Sequence, residues 1–488
     1  MNRYDSFIFE GVNFRPHGKK IVLRYSLDRE ITFEETLMLP AEPFSLPHPI
    51  PSPDGRGATN EWGDREDIKK ALFALHLIGG ISYYKTCCPT KIEIVSGALS
   101  KAEVQFWDTV YLQGLGQFFF ENKMDFRNRI NFPASSPTRT PTLHSPRKTS
   151  KPETRNQKRI LIPIGGGKDS IATIELLKKT GAHLTLLRVG PHPLVEQLAH
   201  SAGLPILNVR RSLSPALFDL NEKGALNGHV PITAYISILG ILIALLYDFD
   251  AVVMSDEASA SEGNVSFHGM EINHQWSKSL EFEKMLRKYI QGSIGSDIEY
   301  FSLLRPYTEL KITEIFSKHP QYFHGFTSCN TNWKILSSLT PNPSPDGRGG
   351  FPSPLGGRAR DEGGRWCNQC PKCASVFAAL AAFLPRETLK EIFDAVLFEN
   401  ESLIHLYREL LGISGHKPFE CVGTADETKA AFLLAMRRGD LSDTPAMKMF
   451  VTEVLPTIKD PDKLISEALA PRSDHCIPEF FQKLIVKS

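Results

Sequence analysis

A charge imbalance is missing from this sequence: 56 Lys and Arg stand against 55 Asp and Glu, a net charge of +1 over 488 residues. That balance offers no electrostatic footprint for a nucleic acid or a membrane surface. A secretory leader is missing too, since Met1-Asn-Arg-Tyr-Asp-Ser6 is polar and runs into mixed sequence. So is a membrane-length apolar run. The longest, Val230 to Leu246, contains Pro231, Thr233, Ser237 and Gly240, lacks basic flanks and leads straight into Ala251-Val-Val-Met254. It reads as a buried helix feeding a strand. Cysteine is scarce, at 8 residues. Without a leader these predict reduced thiols in a cytoplasmic protein, and their clustering points to metal or catalysis rather than disulfides.

What is present begins with Ile160-Leu-Ile-Pro-Ile-Gly165-Gly-Gly-Lys-Asp-Ser170, followed by the helical pattern Ile171-Ala-Thr-Ile-Glu-Leu-Leu-Lys178. It reads as a buried strand, a glycine turn and a helix start. Gly165, Gly166 and Gly167 let backbone N–H groups close around an anion, and the positive end of the helix points at the same spot. Lys168 adds a cation. Asp169 makes sense beside phosphate chiefly as a ligand of a metal such as Mg²⁺. The spacing is not that of G-x-x-x-x-G-K-[ST]. It resembles the S-G-G-x-D-S loop of the ATP pyrophosphatase (PP-loop) enzymes, with Gly165 in place of the first Ser.

Around this loop the chain divides by pattern. Residues 1–130 alternate like strands at Phe7-Ile-Phe9, Ile21–Tyr25 and Glu30–Leu37, with helices over Asp67–Leu77 and Ser100–Tyr111. They predict an α+β domain. Residues 131–158, rich in Ser, Pro, Thr and basic residues, read as a disordered linker. Residues 159–385 alternate strands (Arg159–Ile164, His183–Arg188, Pro205–Val209, Ala251–Met254) with helices. That alternation predicts an α/β, doubly wound parallel sheet binding its ligand at the strands' carboxyl ends. Residues 386–488 read as a helical cap. Pro51-Ser-Pro-Asp-Gly-Arg-Gly57 recurs word for word as Pro343-Ser-Pro-Asp-Gly-Arg-Gly349. Segments 46–61 and 338–364 therefore read as inserted surface loops without function.

Three constellations add chemistry. Polar Ser255-Asp-Glu-Ala-Ser259 follows the Ala251 strand, where substrate and metal belong, and Glu257 and Ser259 are the first choices there. His274 and Lys278, spaced i and i+4 in Asn273-His-Gln-Trp-Ser-Lys278, share one face if that stretch is helical. Gly228 and His229 precede Pro231 at a helix start whose free N–H groups can receive a nucleotide or its phosphates. Cys367-Asn-Gln-Cys370-Pro-Lys-Cys373 sets three thiols together, and excision of 338–364 leaves about ten residues between it and Cys329. That spacing favours a four-thiolate structural Zn²⁺ site over buried thiols, with an iron–sulfur cluster or a catalytic cysteine as alternatives. It resembles the cysteine loop of the deazaguanine nitrile synthases. Cys87, Cys88, Cys421 and Cys476 read as core or surface thiols.

Taken together, the chain resembles the ATP-dependent UDP-N-acetylmuramoyl-L-alanyl-L-glutamate epimerase family of bacterial peptidoglycan synthesis. The resemblance rests on Gly165–Ser170, Gly228-His-Val-Pro-Ile232, Glu257-Ala-Ser-Ala260 with Asn264, Asn273–Glu283, Cys367–Cys373 and Lys417-Pro-Phe-Glu-Cys-Val-Gly423. Gly80–Lys85 and Tyr111–Phe120 extend it into the N-terminal part. It implies ATP consumed to AMP and pyrophosphate, Mg²⁺ at Asp169 and Glu257, and Lys168 beside the leaving group. The substrate it implies is a UDP-linked muramoyl dipeptide. His274, Lys278, Glu257, Lys85 and Cys329 are the candidates for moving the α-proton, either as a pair on opposite faces or as a single base with an enolate-like intermediate protonated from water. The alternatives are another PP-loop adenylating synthase, such as a nucleobase- or tRNA-modifying enzyme, and an inactive nucleotide-binding relative.

Overall fold

Period-two alternation along the strands builds two separate cores, one on each face of a single sheet. In Arg159–Pro163, Ile160 and Ile162 enter one core while Leu161 enters the other; Ala251 and Val253 oppose Val252 and Met254 in the same way. Strands buried on both faces read as continuous apolar runs, as parallel strands under helices do. The computed structural model describes residues 4–40, 65–134, 157–329, 365–415 and 417–485. The expected inserted loops 46–61 and 338–364, and 135–156 of the expected linker, lie outside the described residues. The segment's first residues belong to the body, with Phe132 buried against Tyr111 and Phe9.

The N-terminal part supplies β1 (Ser6–Arg15), β2 (Lys20–Leu27), β3 (Ile31–Met38), α1 (Glu66–Tyr84), β4 (Lys91–Ile94), α2 (Lys101–Gly114) and α3 (Gly116–Glu121). Then follow β5 (Arg159–Pro163), α4 (Lys168–Lys178), β6 (His183–Val189), α5 (Pro193–Ala202), β7 (Ile206–Ser212), α6 (Pro215–Glu222) and α7 (Ile232–Leu246). After β8 (Ala251–Met254) come the hairpin β9 (Val265–Phe267) and β10 (Met270–Ile272), α8 (Leu280–Tyr289), β11 (Glu299–Ser302), α9 (Glu309–Ser317) and α10 (Pro371–Ala381). Helical segments follow from Arg386 to Gln482.

The nine-stranded sheet runs β11-β8-β5-β6-β7-β3-β2-β1-β4. From β11 to β7 every pairing is parallel, as the alternation predicted. The strands of residues 1–130 extend this same sheet, joining antiparallel through β3 on β7. The fold is thus α/β with a mixed, mostly parallel sheet. The chain leaves β5 toward β6 and β7, then returns to β8 on the opposite side, so the sheet switches direction between β5 and β8. α1 and α7 pack on each other across one face. On its sheet side, Gly79 and Gly80 let α1 lie close on β1 and β2, because a Cβ at either would press into Tyr25 or Phe9. Among the described residues no helix is long and apolar enough to cross a membrane.

The seam between the antiparallel and parallel strands is held by a buried ion pair. Arg211 on β7 donates from Nε and Nη2 to the two oxygens of Glu35 on β3, at 2.8 and 2.9 Å. Tyr83 and Tyr235 donate to the same carboxylate, which is fully buried, and Arg211 lies over the Tyr235 ring. Removing one partner of such a pair leaves an uncompensated charge, at a cost of about 3–5 kcal/mol. Arg211→Met should therefore lower the apparent unfolding free energy by that amount in urea titrations. A loss under about 1 kcal/mol, the worth of an exposed pair, would show that the seam does not depend on it.

Candidate active site

The glycine loop leaves β5 at the direction switch. Gly166 takes φ +91°, a left-handed backbone that suits glycine. Its carbonyl accepts from the Thr327 N–H at 3.0 Å. A Cβ at Gly167 would fall 2.8 Å from Ser328 Oγ. Gly165 has open space around it. Ser170 Oγ donates back to the Gly167 carbonyl, fastening the first turn of α4. The first N–H groups of α4 have no acceptor within the helix.

Beside the loop stands a carboxylate cluster. Asp169, Glu257 and Glu309 each place an oxygen within 4.8 Å of the others. They arrive from three strand ends: Asp169 after β5, Glu257 after β8, and Glu309 after β11, at the start of α9 behind its Thr308 cap. Lys168, fully buried, meets Asp169 at 2.5 Å and Glu309 at 3.0 Å, and Lys372 on α10 meets Glu309 at 3.3 Å. Burial alone would lower the Lys168 pKa, but the two carboxylates outweigh it and raise it. Burial would likewise raise Glu309, yet Lys168 and Lys372 hold its carboxyl down to about 2. Asp169 is pushed up by burial against the pull of Lys168. Glu427 extends the cluster outward: it accepts from Ser259 Oγ and from the Glu309 N–H, and burial pushes it up to about 7.

Arg305 ties this cluster to a second one. Buried and paired with Glu283, it donates to the carbonyls of Glu257 and Lys278, each at 2.7 Å. Around Lys278 the fold brings His274, Cys421 and His229 together. The Gln117 amide donates to Glu121 at 2.7 Å, which turns its oxygen to His274 Nδ1. Nδ1 must then carry the proton, leaving Nε2 as an acceptor facing Cys421 Sγ at 3.9 Å. Lys278 Nζ donates to the same sulfur at 3.4 Å. Burial, with His229 and Lys278 close by, pushes His274 well below the usual imidazole range. Lys278 is held well above its usual value, because Cys421, Glu257 and Asp256 outweigh its burial. The ring of His229 lies 4.7 Å from that of His274, and Lys85 donates to Asn227 and to the Gly228 carbonyl. Burial brings Lys85 down to about 8.

The four cysteines assemble as the spacing suggested. Cys329, Cys367, Cys370 and Cys373 hold their sulfurs within 4.8 Å of one another. Tetrahedral thiolates about 2.3 Å from one zinc ion would sit about 3.8 Å apart, so the donor set fits that metal. Cys370 caps α10, and Thr327 Oγ1 donates to the Arg365 carbonyl at 2.5 Å, closing the chain beside the cluster.

The structure thus gathers Gly165–Ser170, Glu257, Lys278 and His274 along one continuous set of contacts. Gly228 and His229 sit at its histidine end. His274 and Lys278 share it without sharing a helix: a 3₁₀ turn covers only Trp276–Lys278, and His274 precedes it. Pro231 caps α7 instead of opening its first turn. Sequence reasoning passed over Glu309, Arg305, Lys372, Gln117 and the role of Cys421. The signal for the first two was the alternation in Glu299-Tyr-Phe-Ser302, which is β11; polar residues past its end were the ones to suspect. Gln117 and Lys372 lie in segments that carry the resemblance, but nothing local marks their roles, since each acts through a distant partner.

The MurL N-terminal domain family matches residues 1–303 and the MurL C-terminal domain family residues 357–464. Three similar proteins all carry the name UDP-N-acetyl-alpha-D-muramoyl-L-alanyl-L-glutamate epimerase. That of Xanthomonas oryzae pv. oryzae is 34% identical over 93% of this chain and 91% of its own length. That of Salinispora tropica is 35% identical over 93% and 90%. That of a Micromonospora strain is 33% identical over 100% and 99%. With both domain families matched in order and full-length relatives above 30% identity, the chain belongs to the MurL family.

Proposed function

We propose that this protein epimerises the terminal L-glutamate of UDP-N-acetylmuramoyl-L-alanyl-L-glutamate to D-glutamate for peptidoglycan synthesis, consuming ATP through an acyl-adenylate in the manner of a PP-loop enzyme. The observation that carries the reading is the joining of two chemistries in one site of a MurL-family chain: a glycine loop with three carboxylates at one end, a histidine–cysteine–lysine group at the other.

The substrate explains why both ends are needed. The target glutamate has its amine tied up in an amide, so it cannot form a Schiff base. Its free α-carboxylate makes the adjacent C–H very weakly acidic, because deprotonation would build a dianion. Adenylation removes that charge and turns the carbonyl into an electron sink. Gly165–Ser170 would hold the pyrophosphate portion with the α4 N-terminus. Lys168, fixed by Asp169 and Glu309, would lend positive charge beside the leaving group. Asp169, Glu257 and Glu309 would hold Mg²⁺, which supplies charge neutralisation for pyrophosphate. The four cysteines would hold a structural Zn²⁺. Hydrolysis of the inverted acyl-adenylate would release product and AMP.

With ATP, Mg²⁺ and the UDP-linked L-Ala-L-Glu substrate, the purified protein should form AMP and the D-Glu epimer; unchanged stereochemistry in chiral analysis of the hydrolysed product would sink the reading. The free dipeptide serves as the control for the nucleotide-sugar. Glu309→Gln and Asp169→Asn should each cut AMP formation by at least about 100-fold, and near-native rates would remove them from the nucleotide end. Elemental analysis should find about one zinc per chain, lost in Cys370→Ser together with thermal stability; protein that is equally stable and metal-free would contradict the thiolate site.

A further inference from the structure

The residue that moves the α-proton must reach the substrate, be a base in one state and an acid in the other, and be stable in both. Three of the sequence candidates meet this poorly. Lys278 is held as an ammonium and has no lone pair to offer. His274 is kept neutral by burial, a weak base whose Nδ1 proton is committed to Gln117. Glu257 belongs to the carboxylate cluster with Asp169 and Glu309.

Cys421 has a different standing. As a thiolate, its sulfur accepts from the Lys278 ammonium at 3.4 Å. As a thiol, it donates to the Nε2 lone pair of His274 at 3.9 Å. The Glu121–Gln117–His274 chain fixes the tautomer that makes this second bond available. Its sulfur is therefore partnered in both protonation states, which few groups in a half-buried site can claim. The same residue reaches the nucleotide end through its backbone, since Lys372, paired with Glu309, donates to the Cys421 carbonyl. On the same segment the Lys417 ammonium nitrogen is buried and has no hydrogen-bond partner among the described residues. Its positive charge is among those that disfavour protonation of His274. A buried ammonium without a partner is costly and suits a carboxylate of the arriving glutamyl group.

From this geometry we infer that Cys421 is the catalytic residue that exchanges the glutamyl α-proton on one face, with His274 as a positioning residue and Lys278 as the counter-charge. The inference rests on the epimerase reading above. The thiolate takes the proton from Cα, and the C–H electron pair moves into the carbonyl that adenylation has made electron-poor. The sulfur is then a thiol, bonded to His274 Nε2. Water on the opposite face returns a proton to Cα, leaving hydroxide, and the Cys421 proton neutralises that hydroxide. Configuration is inverted, and the thiolate beside Lys278 is restored.

The test separates the two half-reactions in Cys421→Ser and Cys421→Ala. ATP-dependent pyrophosphate exchange with the UDP-linked substrate reports activation; mass-spectrometric uptake of deuterium at the glutamyl α-carbon in D₂O reports proton exchange. Both variants should keep pyrophosphate exchange within about threefold of wild type while deuterium uptake falls by about 100-fold or more, the worth of a general base. Deuterium uptake within about tenfold of wild type would overturn the assignment. So would loss of both half-reactions in variants with wild-type circular dichroism, since the thiol would then not act in proton exchange alone. A wild-type protein that forms neither AMP nor deuterated product would instead overturn the epimerase reading, and the assignment with it.

Discussion

Lys168 and Glu309 are both dry, and neither can remain so without the other. An unpaired ammonium or carboxylate at that depth would cost several kcal/mol, so the fold must bring them into register or neutralise one. Lys168 opens the helix after β5, Glu309 opens the helix after β11, and Lys372 comes from the helix that the cysteines cap. The pairing therefore fixes the starting points of three helices at one place. α9 packs against both α4 and α10, as that common origin requires. The strand ends of β5, β8 and β11 then deliver Asp169, Glu257 and Glu309 to the direction switch of the sheet, where parallel sheets open a crevice.

Two cations extend that constraint outward. Arg305 joins the carbonyls of Glu257 and Lys278, and Lys372 joins Glu309 to the backbone of Cys421. A shift at the carboxylates would be felt at the thiol within two contacts. Such short relays suit a reaction in which a carboxylate must be activated before the carbon next to it can lose a proton. The glycine loop is braced from the other side, where Thr327 bonds the Gly166 carbonyl two residues before Cys329. Whatever rigidifies the cysteine cluster rigidifies the loop.

Much of this was legible in the sequence where physics is local. The Ile160–Ile164 run, the three glycines and the helical pattern after them specify a strand, a turn and a helix start without help from the rest of the chain. The C-x-x-C-x-x-C spacing sets three thiols on one short turn, and Cys329 joins them as the loop length suggested. What was not legible depends on pairing across the sheet. β3 meets β7 across more than 170 residues, so the merging of the N-terminal strands into one sheet had no local signature. Gln117 orients a histidine 157 residues away, and Cys421 looked like any other thiol until its neighbours were known. The i, i+4 reading expected His274 and Lys278 on one helical face; a turn and a shared sulfur bring them together instead.

The bond from Thr327 Oγ1 to the Arg365 carbonyl has a consequence for how this gene tolerates change. It pins both ends of the long Pro- and Gly-rich segment within one hydrogen bond of each other, with the thiols on either side. Chain added between pinned ends costs only closure entropy, which grows with the logarithm of length. Lengthening the chain between such ends about fourfold costs about 1 kcal/mol. An acquired stretch of sequence could settle there without moving the sulfurs or the glycine loop, which makes this position a natural port for inserting a tag or a reporter domain.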